Sequence, residues 1–502
     1  MNSTLSRRFF LSTAAASCFV ASSAIAGPPE ASLRPVMRGD DHFKRAVPEI
    51  ADILREARLT DKVSFAVSDV TAGVLRESND ASTGRPPASV TKAITALYAL
   101  DALGADHRFE TRLMATGGIE NGEVLGDLVL VGGGDPTLDT DTLATMAANL
   151  KAAGIIGVRG AFKVFEGALP VFARIDPEQP DQVGYNPGIS GLALNYNRVH
   201  FEWKRSGGNY AVTMEGRTEK YRPAVRMAAM KVLDRASPVY TYESRGGVDE
   251  WTVARGALGG SGARWLPVRK PGLYAGEVFQ SLAGSHGIRL GAPELIDNLP
   301  DGESVVTNQS ADLRSILRDM LKWSTNVTAE MMGLAATIAR GGKPDSLKAS
   351  AQDMSLWAQT TLGMTNAALV DHSGLGDDSR VTADDMVAAL LRVHGTGLRD
   401  ILKPVILRDE KRRVIADHPI KVDAKTGTLN FVSSLAGYLT APDGTEMAFA
   451  IFASDDEIRK TLTRAEREGP PGGASWNARA KRMQQQLIER WAVLYAADGQ
   501  DK

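Results

Sequence analysis

The sequence predicts an α+β protein: one discontinuous domain, an antiparallel sheet flanked by helices, interrupted by a β-rich insertion. Three observations carry that reading. Helical periodicity and alternating strands recur at both ends of the chain, with an amphipathic helix toward each terminus. Between about residues 115 and 302 the texture changes to short strand-like pieces separated by Gly, Pro and Asp clusters. The length of 502 residues is about three times that of an ordinary domain, so two or three folding units are expected. Hydrophobic residues at 43% and charged residues at 24% fit a globular chain and exclude a disordered or fibrous one. Fifty-eight Lys and Arg against sixty Asp and Glu argue against a partner recognised by phosphate neutralisation, such as nucleic acid.

The first stretch reads as an address. Two arginines in Ser6-Arg7-Arg8-Phe9-Phe10-Leu11 precede an alanine-rich apolar segment that ends in Ala24-Ile25-Ala26. This predicts a twin-arginine signal over residues 1–26, export to the periplasm, and no transmembrane anchor after cleavage. The single cysteine, Cys18, lies in that segment. Its removal excludes disulfides, a thiol nucleophile and Cys-ligated metal together.

Residues 41–59 carry Val47, Ile50, Ile53, Leu54 and Ala57 on one helical face. Residues 63–70 alternate in period two and turn at Thr71-Ala72-Gly73 into a second strand near Val74 and Leu75, a hairpin. After Pro86-Pro87, Ser89 opens a helix to about Leu103 with Val90, Ile94, Leu97 and Tyr98 on one stripe and Gly104 as its stop. Strand-like pieces follow at 124–131, 162–165, 199–203 and 211–214. Helical spacing returns from Ala311 past Met331. Residues 405–452 are strand-rich, with the pair 431–439 and 447–454 joined by Ala441-Pro-Asp-Gly-Thr445. A last helix, capped by Ser475, turns Met483, Leu487, Trp491 and Leu494 inward. That spacing fits packing on the core better than a lipid anchor. The resulting division is 1–26 signal, 27–115 and 304–502 the two parts of one domain, and 116–303 the insertion.

Three short motifs can carry chemistry. Ser89-Val90-Thr91-Lys92 places a hydroxyl and an amine one helical turn apart. A serine needs a base to attack a carbonyl, and a lysine kept neutral by burial and neighbouring cations can serve. The helix N-terminus adds N–H groups where an oxyanion would form. Ser324-Thr325-Asn326 offers a hydroxyl to relay a proton and an amide to hold Lys92 and substrate. Lys425-Thr426-Gly427-Thr428 leads into a strand where glycine allows a ligand backbone to approach and Lys425 supplies positive charge.

In this order and context the set resembles that of β-lactamases and penicillin-binding proteins, and the chain is similar to the class C low-molecular-mass penicillin-binding proteins, the D-alanyl-D-alanine carboxypeptidase/endopeptidase family. Further blocks support this, among them Gly126-Asp-Leu-Val-Leu-Val-Gly-Gly-Gly-Asp-Pro136, Ser324-Thr-Asn-Val-Thr-Ala-Glu330 and Asp371-His-Ser-Gly-Leu375. So does the long interval between Ser89 and Ser324, where members of that family insert extra domains. The resemblance implies a penicillin-binding/serine β-lactamase-like transpeptidase fold with one or two small inserted domains. It implies Ser89 as nucleophile, Lys92 as base, Ser324 as proton relay, Asn326 as orienting amide and Lys425 as electrostatic support. Thr426, Gly427 and Thr428 would receive the substrate carboxylate and backbone, the N–H groups of Ser89 and Thr428 would form the oxyanion hole, and Asp181 would bind a free diaminopimelate amine. Peptidoglycan stem peptides are the implied substrates and β-lactams the covalent inhibitors, with no cofactor or metal. Thr325 departs from the asparagine common in that family.

Other readings are open to some of these residues. The seven histidines lack metal-ligand spacing. Gly132-Gly-Gly134 lacks a phosphate loop's Gly-Lys-Ser/Thr ending and reads as a tight turn. His372 and Ser373 have no G-x-S-x-G elbow beside them. Two rival functions are a serine β-lactamase-like hydrolase and a non-catalytic wall-binding protein retaining the fold. Rapid β-lactam turnover by a class A mechanism needs a glutamate downstream of the S-x-N triplet, and none occurs from Met331 to Asp409.

Overall fold

The computed structural model describes residues 47–409, 411 and 413–496. The signal segment, Cys18 and the start of the first expected helix lie outside them. Its centre is a six-stranded antiparallel sheet in the order Lys403–Pro404, Lys421–Leu429, Val432–Thr440, Glu446–Ser454, Val63–Asp69, Leu75–Asn79. The first hairpin of the chain therefore pairs with its last strands, which is how a discontinuous domain closes on itself.

The strand Val63–Asp69 is buried along its whole length, although its alternation predicts one wet face. Two layers cover it. Val63, Phe65 and Val67 meet the helices Ile50–Ala57 and Gly473–Leu494 in one core. Ala66 faces the opposite core, built around the helices Thr91–Leu103, Leu313–Trp323 and Asn326–Ala339. The alternation is thus one of size: large apolar side chains toward the terminal helices, Ser64, Ala66 and Ser68 toward the crowded helical layer.

The last helix starts at Gly473, with Gly472 at its N-cap in the left-handed region (φ +81°). Ser475 does not cap it; that residue lies inside the first turn and its Oγ donates to the Gly472 carbonyl at 2.9 Å. The glycine pair makes the turn, so the side chain three residues on finds the carbonyl rather than a free N–H. Met483, Leu487 and Trp491 are buried as expected, while Leu494 is half-exposed. Trp491 packs on Phe65 and Phe449 with ring centroids 5.6 and 5.9 Å apart, and its Nε1 donates to Glu77 at 2.7 Å. Leu487 has no exposed surface. Leu487→Ala is expected to lower unfolding free energy by about 2–5 kcal/mol, read by denaturant titration, through lost transfer energy and a cavity beneath the sheet.

The insertion is β-rich and has its own core, with Phe162, Phe201, Trp251 and Phe279 at its centre. A five-stranded sheet runs in the order Glu294–Ile296, Phe162–Phe165, Leu128–Gly132, Glu110–Ala115, Glu303–Gln309. Its two strands Glu110–Ala115 and Glu303–Gln309 are the chain's entry to and exit from the insertion, so that sheet extends past residues 115 and 303. Three three-stranded sheets complete it, one around Glu123–Val124, one around Arg198–Ser206 and one around Val248–Ala254. Within the glycine triplet, a side chain on Gly132 or Gly133 would collide with Leu192 or the Glu110 carbonyl. Those glycines serve close backbone packing.

Candidate active site

Pro86 and Pro87 lead the chain into a short 3-10 turn, Ala88–Val90, that runs directly into the helix Thr91–Leu103. Ala88 is held at φ +46°, a conformation that costs a residue with a Cβ about 1–3 kcal/mol and persists only under surrounding restraint. Two glycines supply the restraint. A Cβ on Gly427 would lie 2.7 Å from the Pro87 carbonyl and 3.0 Å from the Ser89 nitrogen. A side chain on Gly374, at φ +74°, would collide with the Ala88 carbonyl. Backbone from the sheet and from the 371–376 loop thus presses on the turn that carries Ser89.

Lys92 is wholly buried one helical turn on. Its Nζ lies 2.9 Å from Ser89 Oγ, 2.8 Å from Asn326 Oδ1 and 2.7 Å from the Ser373 carbonyl oxygen. An ammonium donates to all three. A neutral amine keeps two N–H groups for Asn326 and Ser373 and turns its lone pair toward the Ser89 hydroxyl, so the same geometry serves a base. Burial pulls the Lys92 pKa down to about 8, against the opposing pull of the Asp371 and Glu330 charges. A substantial neutral fraction therefore exists a little above neutral pH.

The helical stretch expected from Ala311 is in two parts, with the S-x-N triplet on a turn after a helix Leu313–Trp323, as the sequence predicts. The helix Leu313–Trp323 ends at Ser324, which turns left-handed (φ 59°), and a new helix starts at Asn326. That break aims Ser324 and Asn326 at the same place from two helix ends. Lys425 Nζ donates to Ser324 Oγ at 3.0 Å and to the Thr426 carbonyl at 2.7 Å. Burial, then the Lys92 and Lys403 charges, push its proton affinity well below that of a free lysine. Asn326 Nδ2 donates to the Tyr185 carbonyl at 2.9 Å, which ties the motif to the insertion. Ser89, Ser324, Asn326 and Thr428 line one cavity of about 350 Å³. Thr426 stands exposed two residues back on the same strand face.

Asp181 is not brought to the cavity wall. Its carboxylate is taken by Arg464, at 2.7 and 3.1 Å, and by Arg174 at 3.0 Å. These guanidinium groups hold it below the usual carboxylate range despite burial. An acid so neutralised has little left for a ligand amine. The acids that do reach the cavity, Asp377 and Glu468, are paired with Arg459 and Arg467, and with Arg264.

Two acids were given no role by the sequence. Glu330 is fully buried, its Oε2 accepting the His372 N–H at 3.1 Å and its Oε1 the Ser373 N–H at 2.9 Å. Asp371 accepts the N–H groups of Gly374 and Gly376, each at 2.6 Å. The signals were present: Glu330 sits four residues after Asn326, hence on its helix face, and Asp371 precedes two glycines that can turn their N–H groups back. His372 is buried and burial drives its pKa down to about 3, so it stays neutral. Its ring meets the Ser350 hydroxyl at 2.8 Å.

Gly427→Ala tests how tightly the strand must approach. The added methyl has only backbone and Ala88 to displace, so the strand must retreat from Ser89. Misplacement of about 1 Å costs on the order of 10²-fold in rate. The second-order rate of acylation by benzylpenicillin is expected to fall by about that factor, while circular dichroism stays unchanged.

With this geometry in hand, comparison with known proteins is specific. The sequence model of the D-Ala-D-Ala carboxypeptidase 3 (S13) family matches residues 46–469. A D-alanyl-D-alanine carboxypeptidase of Actinomadura sp. (strain R39) is 30% identical over 442 residues, covering 80% of each chain. D-alanyl-D-alanine carboxypeptidase DacB of Haemophilus influenzae is 23% identical over 443 residues, 80% of this chain and 87% of the relative. In fold, the crystal structure of penicillin binding protein 4 (dacB) from Haemophilus influenzae aligns with a TM-score of 0.70 at 20% identity. That alignment covers 89% of this chain and 99% of that one.

Proposed function

The chain belongs to the D-Ala-D-Ala carboxypeptidase 3 (S13) family, and from that premise we propose that it is an exported serine D-alanyl-D-alanine carboxypeptidase of peptidoglycan stem peptides, working through a Ser89 acyl-enzyme. The observation that carries the reading is the convergence of three motifs on one cavity. Lys92 reaches Ser89 and Asn326, and Lys425 reaches Ser324, from four separate elements.

The steps follow from the contacts. Neutral Lys92 accepts the Ser89 hydroxyl proton as Oγ bonds to the carbonyl carbon of the penultimate D-alanine. The oxyanion so formed is stabilised by the N–H groups of Ser89 and Thr428, each worth about 2.7–4 kcal/mol. Ser324, polarised by Lys425, gives its proton to the departing nitrogen as the carbon–nitrogen bond breaks and is reprotonated from the Lys92 ammonium, which returns to the free amine. Asn326 holds Lys92 on one side through Oδ1 and faces the Tyr185 carbonyl through Nδ2. Thr426 and Thr428 receive the terminal carboxylate under the positive potential of Lys425. Water then adds to the Ser89 ester while neutral Lys92 takes its proton, and as the carbon–oxygen bond breaks that proton passes to Ser89 Oγ, restoring the hydroxyl and the free amine.

The same arrangement supports acylation by β-lactams, whose strained amide presents a comparable carbonyl to Ser89. Release of that adduct is expected to be slow. Glu330, the acid at the edge of the glutamate-free stretch, is buried behind Lys92 and holds backbone N–H groups, where it cannot reach a hydrolytic water in the cavity. The test is intact-mass analysis after benzylpenicillin with D-alanine release from a D-Ala-D-Ala peptide, on the wild type and Ser89→Ala. A persistent adduct and peptide turnover confined to the wild type support the reading; adduct on both proteins, or on neither, overturns it.

A further inference from the structure

Behind the nucleophile lies a pair of acids that neither touches substrate nor makes a side-chain hydrogen bond to Lys92. Glu330 and Asp371 are respectively 0% and 3% exposed. Between them they accept four backbone N–H groups, those of His372, Ser373, Gly374 and Gly376. Those residues form the loop whose Ser373 carbonyl is one of the three acceptors of Lys92 Nζ. The loop has nowhere else to go: Gly333 is glycine because a side chain there would strike the His372 ring, and Gly374 because one would strike the Ala88 carbonyl. Burying two carboxyl groups costs more than a neutral clamp such as Asn or Gln would. What the carboxylate adds is a second acceptor oxygen, so that each acid holds two N–H groups where Asn or Gln would hold one, and negative charge beside Lys92.

We propose that Glu330 and Asp371 are positioning residues for the acylation step: together they seat the Ser373 carbonyl on Lys92 and place buried negative charge behind its amine. This rests on Lys92 being the base of the reaction proposed above. The charged groups that face Lys92 are these two acids, from the Asn326–Ala339 helix and the 371–376 loop, and Lys425 from the neighbouring strand. Asp176 adds to the field at Asp371, and Lys403 to that at Lys425. His372 between the acids is neutral. Burial, and for Glu330 the neighbouring Asp371 charge, push both acids up, Glu330 to about 8, so the pair is only partly ionised below that pH and more fully above it. The charge it carries favours the ammonium and Lys425 disfavours it, so removing an acid lowers the proton affinity of Lys92.

The experiment is the pH dependence of benzylpenicillin acylation in the full chain, for wild type, Glu330→Gln and Asp371→Asn. Each variant loses one carboxylate and keeps an acceptor for one of its two N–H groups. Both are expected to form the Ser89 adduct, with the maximal rate about tenfold lower. The rise of rate with pH is expected to move to lower pH than in the wild type. A structural role alone lowers the rate without moving the rise. A rise that stays in place, or disappears, in a folded variant overturns the proposal. A wild-type readout stands apart from variant folding: the amide resonances of Ser373 and Gly374 are expected to shift with the same midpoint as the rise in rate, and resonances flat across it overturn the coupling. Wild type that never acylates condemns the reading of Ser89 and Lys92 instead.

Discussion

Ser89→Ala is expected to lose benzylpenicillin adduct formation completely and to reduce D-alanine release by at least about 10⁴-fold, with little change in stability. The size of the loss follows from the geometry. Among the described residues of the cavity no hydroxyl takes the place of Ser89: Ser324 Oγ is engaged by Lys425 at 3.0 Å, and Lys92 meets Ser89 but neither Ser324 nor Thr428. Removing the nucleophile of a serine hydrolase typically costs about 10⁴–10⁶-fold, since nucleophile and base act as a unit. What survives is the oxyanion hole and substrate binding, which alone supply about 10³–10⁴ over water. Stability moves little because Ser89 is only half-buried and gives up one hydrogen bond, worth about 0.5–1.5 kcal/mol net. Thermal denaturation and intact mass measure the two consequences separately. An adduct on Ser89→Ala of the same mass and rate as on the wild type would move the nucleophile elsewhere.

The motifs were legible because each is local. Ser89 and Lys92 share a helix face whatever the rest of the chain does, and Gly427 marks a close approach by composition alone. The hairpin at Val63–Asp69 and Leu75–Asn79 and the strands Val432–Thr440 and Glu446–Ser454 were equally local, each carried by alternation and a turn. What joins these pairs was not: Val63–Asp69 binds Glu446–Ser454 across nearly the whole sequence, and no periodicity records a partner. The same limit explains why a strand buried on both faces reads as one buried on a single face, until the size difference between Phe65 and Ala66 is noticed.

Side-chain commitments made across the chain were the least visible. Asp181 has the right chemistry for an amine, yet Arg464, from the far end of the sequence, occupies it. Glu330 and Asp371 are suitably spaced in the sequence, but nothing local shows that they are buried, which follows from packing of the helix Asn326–Ala339 against Thr91–Leu103 and of the 371–376 loop beside them. Ser475 failed as a cap for a smaller reason: Gly472 can adopt the left-handed turn, so the helix starts earlier than the first capping side chain.

The pH dependence of acylation separates the two buried lysines. Lys92 must be neutral to take the Ser89 proton, and burial has brought its pKa from 10.5 to about 8. Below that value the amine is protonated, so the rate falls about tenfold for each pH unit; above it the rate levels off. The benzylpenicillin acylation rate is therefore expected to rise with pH and to reach half its plateau near pH 8, an apparent value that belongs to Lys92 with its coupled acids. Lys92→Arg is expected to abolish the rise and to lower the rate by about 10²–10⁴-fold, since a guanidinium cannot give up its proton in this range. Lys425 is also depressed by burial, but its role needs charge rather than a free pair. Lys425→Arg keeps that charge fixed, so a rise that survives in this variant comes from Lys92. Were the rise lost in Lys425→Arg and kept in Lys92→Arg, the base would be Lys425, acting through Ser324, and the roles of the two lysines would exchange.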